Sequence, residues 1–322
     1  MLHLRVLGVF FLCSMGLVSA QSIDKNYVGS NIPLSFQQIH TFPDHLFFDN
    51  PDFKVYSRNG HLQGIQYYSN ARGKYLVLSG SSDSVAYYVM VDIKLGKVVR
   101  YNQIGNTPYD HAGGFQCIGD FLVVGIEDNA AKDASKIAFY DLSNPGQSDV
   151  APVYTLARGS QFKSKTAGAL GITHYKERHL MAVVSWDAAT IDFYQSNGKS
   201  MSDKDFEMKL AYTWFPTKEN KEGWLNPGWG SYQGISLFTG EGNQLYLFAF
   251  SLNNLRSEIA LFEVHELEDG SYTLKKMDTR RFHAYKNSFR YGTGMQISEN
   301  GELYMYSTPY RLKTKKNMVN RY

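Results

Sequence analysis

The sequence predicts an all-β chain folded as a β-propeller, and three observations lead there. A glycine-centred pattern recurs five times at propeller-blade spacing. Each copy is followed by alternating apolar runs of strand length. No segment after the N-terminal leader carries the period of an amphipathic helix.

The recurring pattern reads His61-LQGIQYY, His111-AGGFQCI, Gly168-ALGITHY, Ser231-YQGISLF and Tyr291-GTGMQIS. In each, a glycine precedes Ile, Phe or Met, and a polar residue follows. The aligned glycines are Gly64, Gly114, Gly171, Gly234 and Gly294, separated by 50, 57, 63 and 60 residues. An apolar run follows each one: KYLVLSG from Lys74, DFLVVGI from Asp120, HLMAVVS from His179, QLYLFAF from Gln244 and ELYMYST from Glu302. Third runs begin at Val85, Lys136, Thr190 and Glu258, and fourth runs at Lys97, Pro152, Phe206 and Ser271. Asn197-Gly198 and Asp269-Gly270 are two-residue hairpin signals between such runs. Four antiparallel strands per repeat is the arithmetic of a propeller blade.

The last unit ends at NMVNRY, which fits a third strand, so its fourth must come from elsewhere. Leu34-SFQQIHTF near the N-terminus is expected to supply it. A terminal strand that completes the last blade closes the ring and removes two open sheet edges. Five blades follow from this count. Six is the alternative, because residues 33–58 have room for more than one strand.

The sequence has 322 residues, of which 33 are Lys or Arg and 30 are Asp or Glu. Its hydrophobic fraction is 43%. That composition excludes a disordered chain. The near balance of charge offers nothing to nucleic acid. Residues 1–20 read as a secretory leader. Arg5 precedes an apolar stretch, VLGVFFLCSM, and Val18-Ser19-Ala20 presents a cleavage site near Ala20. The stretch is too short to span a bilayer. Export to a periplasm or to the exterior is therefore expected, with residues 21–322 forming one domain. Cys117 is then the sole cysteine, so no internal disulfide can form.

DHAGGFQCIGDFLVVGIED and KIAFYDLSNP, together with the strand pattern over almost all of residues 21–322, resemble secreted bacterial propeller proteins of unassigned function. The resemblance implies a fold and carries over no catalytic residue.

In a propeller the loops that enter first strands and those that join second to third strands open on one face. The repeat alignment therefore gathers distant residues at one mouth. His61 and His111 share a repeat position, and Asp110 precedes His111. Arg290, Tyr291 and Tyr232 lie on entering loops, while Glu127, Trp186 and Asp187 lie on second-to-third loops. Trp224 and Trp229 belong to a long aromatic segment, AYTWFPTKENKEGWLNPGWGSYQG, that could offer ring faces to a flat ligand. Together, His61, Asp110, His111, Trp186, Trp224, Trp229, Tyr232, Arg290 and Tyr291 are the candidate ligand-binding residues.

The expected function is recognition of a glycan, small molecule or protein at this mouth by a monomer. No cofactor is required. The alternative is glycoside hydrolysis, which needs two carboxyl groups in different protonation states. Asp110, Glu127 and Asp187 are the candidates. A divalent ion held by His61 and His111 with a carboxylate is a further option, and a purely structural role is the last.

Overall fold

The computed structural model describes residues 31–52, 60–159, 165–298 and 301–322. The leader expected over residues 1–20 lies outside them. Among the described residues no helix is long and apolar enough to cross a membrane.

The chain is all-β, and its strands form antiparallel meanders of four. The first is β2 (Leu62–Asn70), β3 (Gly73–Ser82), β4 (Val85–Asp92) and β5 (Lys97–Asn106). The second is β6 (His111–Ile118), β7 (Phe121–Glu127), β8 (Ser135–Asp141) and β9 (Tyr154–Arg158). The third is β10 (Ala169–Tyr175), β11 (Arg178–Val184), β12 (Ile191–Ser196) and β13 (Met208–Trp214). The fourth is β14 (Gly234–Thr239), β15 (Leu245–Asn253), β16 (Arg256–Glu266) and β17 (Tyr272–Phe282). The fifth contains β18 (Thr293–Ile297), β19 (Leu303–Ser307) and β20 (Asn317–Arg321). Its outer strand is β1 (Asp44–Phe48), which pairs antiparallel with β20 from Asp44 opposite Arg321 to Phe48 opposite Asn317.

The N-terminal closure differs from the sequence expectation in its residues. Leu34–Phe42 does not pair as a strand. Ile32–Gln38 forms a short helix, α1, and the closing strand starts at Asp44. Local chemistry decides this. Asn31 caps the helix by accepting the Leu34 N–H at 3.0 Å, Pro33 sits in the first turn, and Ile32 and Phe36 bury one face. Arg280 then donates to the carbonyls of Phe36 and Ile39, the latter at 2.8 Å, and fastens the helix end to the fourth group.

Successive groups pack face to face through apolar clusters, one at each seam. Tyr88, Phe115 and Val124 lie between the first and second groups. Phe139, Leu170 and Met181 join the second to the third. Phe193, Trp214, Leu247 and Phe262 join the third to the fourth. Phe248, Phe250, Met295 and Phe36 of α1 join the fourth to the fifth. Leu62, Leu78, Tyr306 and Val319 join the fifth back to the first.

The repeated glycines stand where the innermost strands crowd together. A Cβ on Gly294 would lie 1.8 Å from the Ile65 carbonyl oxygen, and one on Gly64 would lie 2.5 Å from the Phe115 ring. Parallel bridges between inner strands, Thr293 to Gly64 and Ala169 to Gly114, mark these approaches. The polar residue two places after the glycine fills the axis. Gln66 donates to the Met295 carbonyl at 2.7 Å and accepts the Cys117 N–H at 2.6 Å. The Oε1 of Gln116 accepts the N–H groups of Ile172 and Leu237 at 3.1 and 2.9 Å, so this one side chain reaches from the second group to the third and fourth. Buried amides placed in this way satisfy both themselves and the strand backbone, which is the condition for burying them at all. They close the axis beneath its mouth.

Candidate functional site

Above the glutamine floor lies a cavity of about 570 Å³, open at the mouth. Its size falls within the ordinary range of small-molecule sites. Every group contributes to its lining.

The second group supplies its most buried ionisable pair. His111 opens β6 and Glu127 ends β7, and the strand register sets them directly opposite each other. Glu127 is 1% exposed. Its Oε2 accepts the Ala167 N–H at 2.7 Å, and its Oε1 stands 3.9 Å from His111 Nε2. Burial raises the Glu127 carboxyl to about 7, against the pull of the Ala167 N–H and of Arg158 and Lys132. Burial, with His61 adding, lowers His111 to about 3. Near neutral pH His111 is therefore uncharged, and its contact with Glu127 is not an ion pair. Gln63 Nε2 donates to His111 Nε2 at 2.8 Å, which leaves the proton on Nδ1, 3.2 Å from Ser81 Oγ. Both ring nitrogens are thus engaged. Among the described residues no three His, Cys, Asp or Glu side chains converge to hold a metal ion.

His61 is half-buried beside this pair. Its ring meets His111 edge-on at 5.5 Å and lies 5.7 Å from Tyr310 and 5.6 Å from Tyr291. Burial lowers its pKa, and the positive charges of Arg290 and Arg311 lower it further, while a contact with the Leu62 carbonyl opposes them. Arg290 and Tyr291, on the loop before β18, line the cavity together with Tyr310.

The third group contributes Trp186 and Asp187 on the turn after β11. Trp186 is 52% exposed, with Lys132 Nζ 3.4 Å from the centroid of its ring. Asp187 and Ala188 both have positive φ, at 57° and 52°. That conformation is unfavourable for residues with a Cβ, so neighbours must impose it. Trp229 does so in part, because its indole N–H donates to the Ala188 carbonyl at 2.7 Å. Ser231 donates to Asp187 from the facing loop, and the Trp186 N–H donates to Thr166 Oγ1 at 2.7 Å. Arg158, fully buried, holds the Thr166 carbonyl while it pairs with Asp192 and donates to Tyr194 at 2.8 Å. One segment, residues 166–167, thereby steadies both Glu127 and the Trp186-Asp187 turn. Ser231, Tyr232 and Gln233, all preceding β14, complete the wall.

The structure brings His61, His111, Glu127, Trp186, Asp187, Tyr232, Arg290 and Tyr291 together around this cavity. Three other candidates stand elsewhere. Asp110 does not line it. Successive residues of an extended chain face opposite ways, so the residue before His111 turns outward, where Asp110 accepts from Thr107 at 3.4 Å. Trp224 is 9% exposed and donates to the Leu274 carbonyl at 3.1 Å, away from the mouth. Trp224 and Trp229 pack against Trp214 with ring centroids 6.3 and 5.0 Å away. The long aromatic loop folds back on its own seam, since burying indoles gains more than displaying them.

Gln63, Asn129, Ser231, Gln233 and Tyr310 line the cavity without having been singled out in the sequence. A signal existed for two of them, because Gln63 and Gln233 both immediately precede a repeat glycine.

No family model matches this chain, and no curated protein matches its sequence. Among solved structures it is similar to the catalytic domain of a family-62 α-L-arabinofuranosidase from Coprinopsis cinerea. The TM-score is 0.51 at 9% identity, over 87% of this chain and 97% of that one. It is also similar to a family-43 glycoside hydrolase from Xanthomonas citri in complex with xylose (TM-score 0.46, 9% identity, covering 81% and 87%). A third is a protein of unknown function from Dyadobacter fermentans (TM-score 0.44, 11% identity, covering 86% and 97%). At such identities the likeness concerns fold alone. The chain has the architecture of β-propeller proteins, in agreement with the sequence resemblance.

Proposed function

We propose that this chain is a five-bladed propeller, exported by its leader, that binds a carbohydrate in the mouth cavity. The carrying observation is the composition of the cavity. Planar amides and imidazoles (Gln63, Gln233, His61, His111) and the Glu127 carboxyl line its wall, and the rings of Trp186, Tyr291 and Tyr310 border it. Paired hydroxyls of a sugar match side chains that both donate and accept, and the C–H face of a sugar ring matches an aromatic plane. The Oε1 of Gln63 is buried without a partner among the described residues, an acceptor that a ligand hydroxyl would satisfy. The five blades correspond to the five four-stranded groups, with β1 completing the last. Glycan-array screening followed by titration calorimetry tests the reading. Tyr310→Ala and Gln63→Ala are each expected to weaken the ligand found by at least tenfold. An array without hits, or affinities that ignore both substitutions, overturns it.

A second reading is favoured by one specific observation, the buried Glu127 carboxyl that keeps its proton up to about pH 7. Such a group can protonate a glycosidic oxygen, and Asp187 on the same cavity offers the second carboxylate that hydrolysis requires. Release of reducing sugar from the bound glycan, lost by a factor of at least about 100 in Glu127→Gln, distinguishes an enzyme from a binder.

A further inference from the structure

The charges lining the cavity are not scattered. The acidic pair, Glu127 and Asp187, comes from the second and third groups. The basic residue, Arg290, comes from the fifth, at the side shared with His61 of the first. Around a ring the fifth and first groups adjoin each other, as do the second and third, so the guanidinium stands across the axis from the two carboxyl groups, of which Glu127 keeps its proton up to about pH 7. The fourth group adds only uncharged side chains, Ser231, Tyr232, Gln233 and Leu252.

Arg290 is exposed, and no carboxylate among the described residues pairs with it. Arg311, on the segment between β19 and β20, has its guanidinium carbon 4.8 Å from the centroid of the Tyr310 ring. Both arginines act on His61, whose protonation they oppose. The acidic side differs in its bonding. Glu127 is held by Ala167 and Asp187 by Ser231. Lys132 softens that side, but it lies over Trp186 outside the lining.

From this placement we infer that the ligand is an acidic sugar, a uronic acid residue whose carboxylate faces Arg290 and whose hydroxyls face Glu127, Asp187 and the amides. The inference rests on the carbohydrate reading above. A guanidinium presents two parallel N–H groups that match a carboxylate in one plane. The Tyr291 and Tyr310 hydroxyls provide further donors on the same side, while neutral His61, whose one N–H faces the Leu62 carbonyl, offers only an acceptor. An anionic substituent directed at the opposite wall would find the carboxyl groups of Glu127 and Asp187 and no cation among the residues lining that side. The ligand therefore has one orientation in the cavity.

The experiment is a calorimetric comparison of matched pairs: glucuronate with glucose, galacturonate with galactose, and the corresponding disaccharides. Glucose 6-phosphate serves as the tetrahedral anion. The expected result is at least tenfold tighter binding of the uronate in one pair, with glucose 6-phosphate weaker than the uronate. In Arg290→Gln the ratio of acid to neutral affinity falls to about one. Arg290→Lys, which keeps the charge and loses the planar fork, gives an intermediate ratio. Three results overturn the inference: equal affinity for acid and neutral sugars, a preference that survives Arg290→Gln, and tighter binding of the phosphate. In these cases the carbohydrate reading stands whenever a neutral sugar binds. Absence of binding by every acidic and neutral sugar overturns both.

Discussion

Replacing Glu127 by glutamine removes a titration that the fold makes expensive. The carboxyl moves from its usual 4.5 to about 7 on burial. At about 1.36 kcal/mol for each tenfold change in acidity, keeping the ionised form buried costs roughly 3 kcal/mol. The sign follows from which state holds the proton. Below pH 4.5 both folded and unfolded chains are protonated here, and the residue contributes no pH dependence. Between 4.5 and 7 the unfolded chain releases a proton that the folded chain retains, so stability falls as pH rises. Above 7 the whole penalty is present. Glutamine keeps the shape and an oxygen for the Ala167 N–H, and it never ionises. Urea unfolding of both proteins at pH 4, 5.5 and 8 measures the difference. Glu127→Gln is expected to gain roughly 3 kcal/mol on the wild type between pH 4 and pH 8. The His111 penalty, which grows as pH falls from 6.5 toward 3 because the unfolded imidazole takes up a proton that the folded one refuses, is common to both and cancels. Parallel stability profiles would refute the reasoning, because they would mean that Glu127 ionises as easily inside as outside.

Two further substitutions probe the architecture around the cavity. Gly294→Ala drives a methyl group against the Ile65 carbonyl and should destabilise the fold by about 3 kcal/mol or more; urea melts measure this, and a cost below about 1 kcal/mol would remove close packing as the reason for that glycine. Trp224→Ala should cost about 3–5 kcal/mol by the same measurement while leaving ligand affinity within twofold, and a large loss of affinity would return Trp224 to the binding surface.

The strand runs and the mouth were legible because the repeat is dictated by close packing. A residue without a Cβ is required wherever an inner strand passes under its neighbour, and the Gln66 and Gln116 positions behind it have backbone to satisfy. Such demands recur and leave a period. The helix at Ile32–Gln38 left none. It is a single capped element, fixed by Asn31, Pro33 and a docking groove formed by the fourth and fifth groups, and its alternating SFQQI reads equally well as a strand. The tryptophans were legible as a cluster but not in direction. Spacing cannot tell whether Trp224 and Trp229 turn toward the cavity or toward Trp214, because burial against the seam is a tertiary choice. Tyr310 escaped notice because the repeat alignment ends its second strand at Thr308, and the loop that brings its ring beside His61 follows no repeat.

The pairing of β1 with β20 has a consequence for how the molecule comes into being. Asp44 leaves the ribosome 277 residues before Arg321, the residue it pairs with. Until then two of the apolar seams that flank the final group have no second wall. Long-range closure of this kind is slow, and it makes the native state an event that follows the synthesis of β20. A nascent polypeptide of this type completes its ring of strands in one step, when β1 and β20 meet.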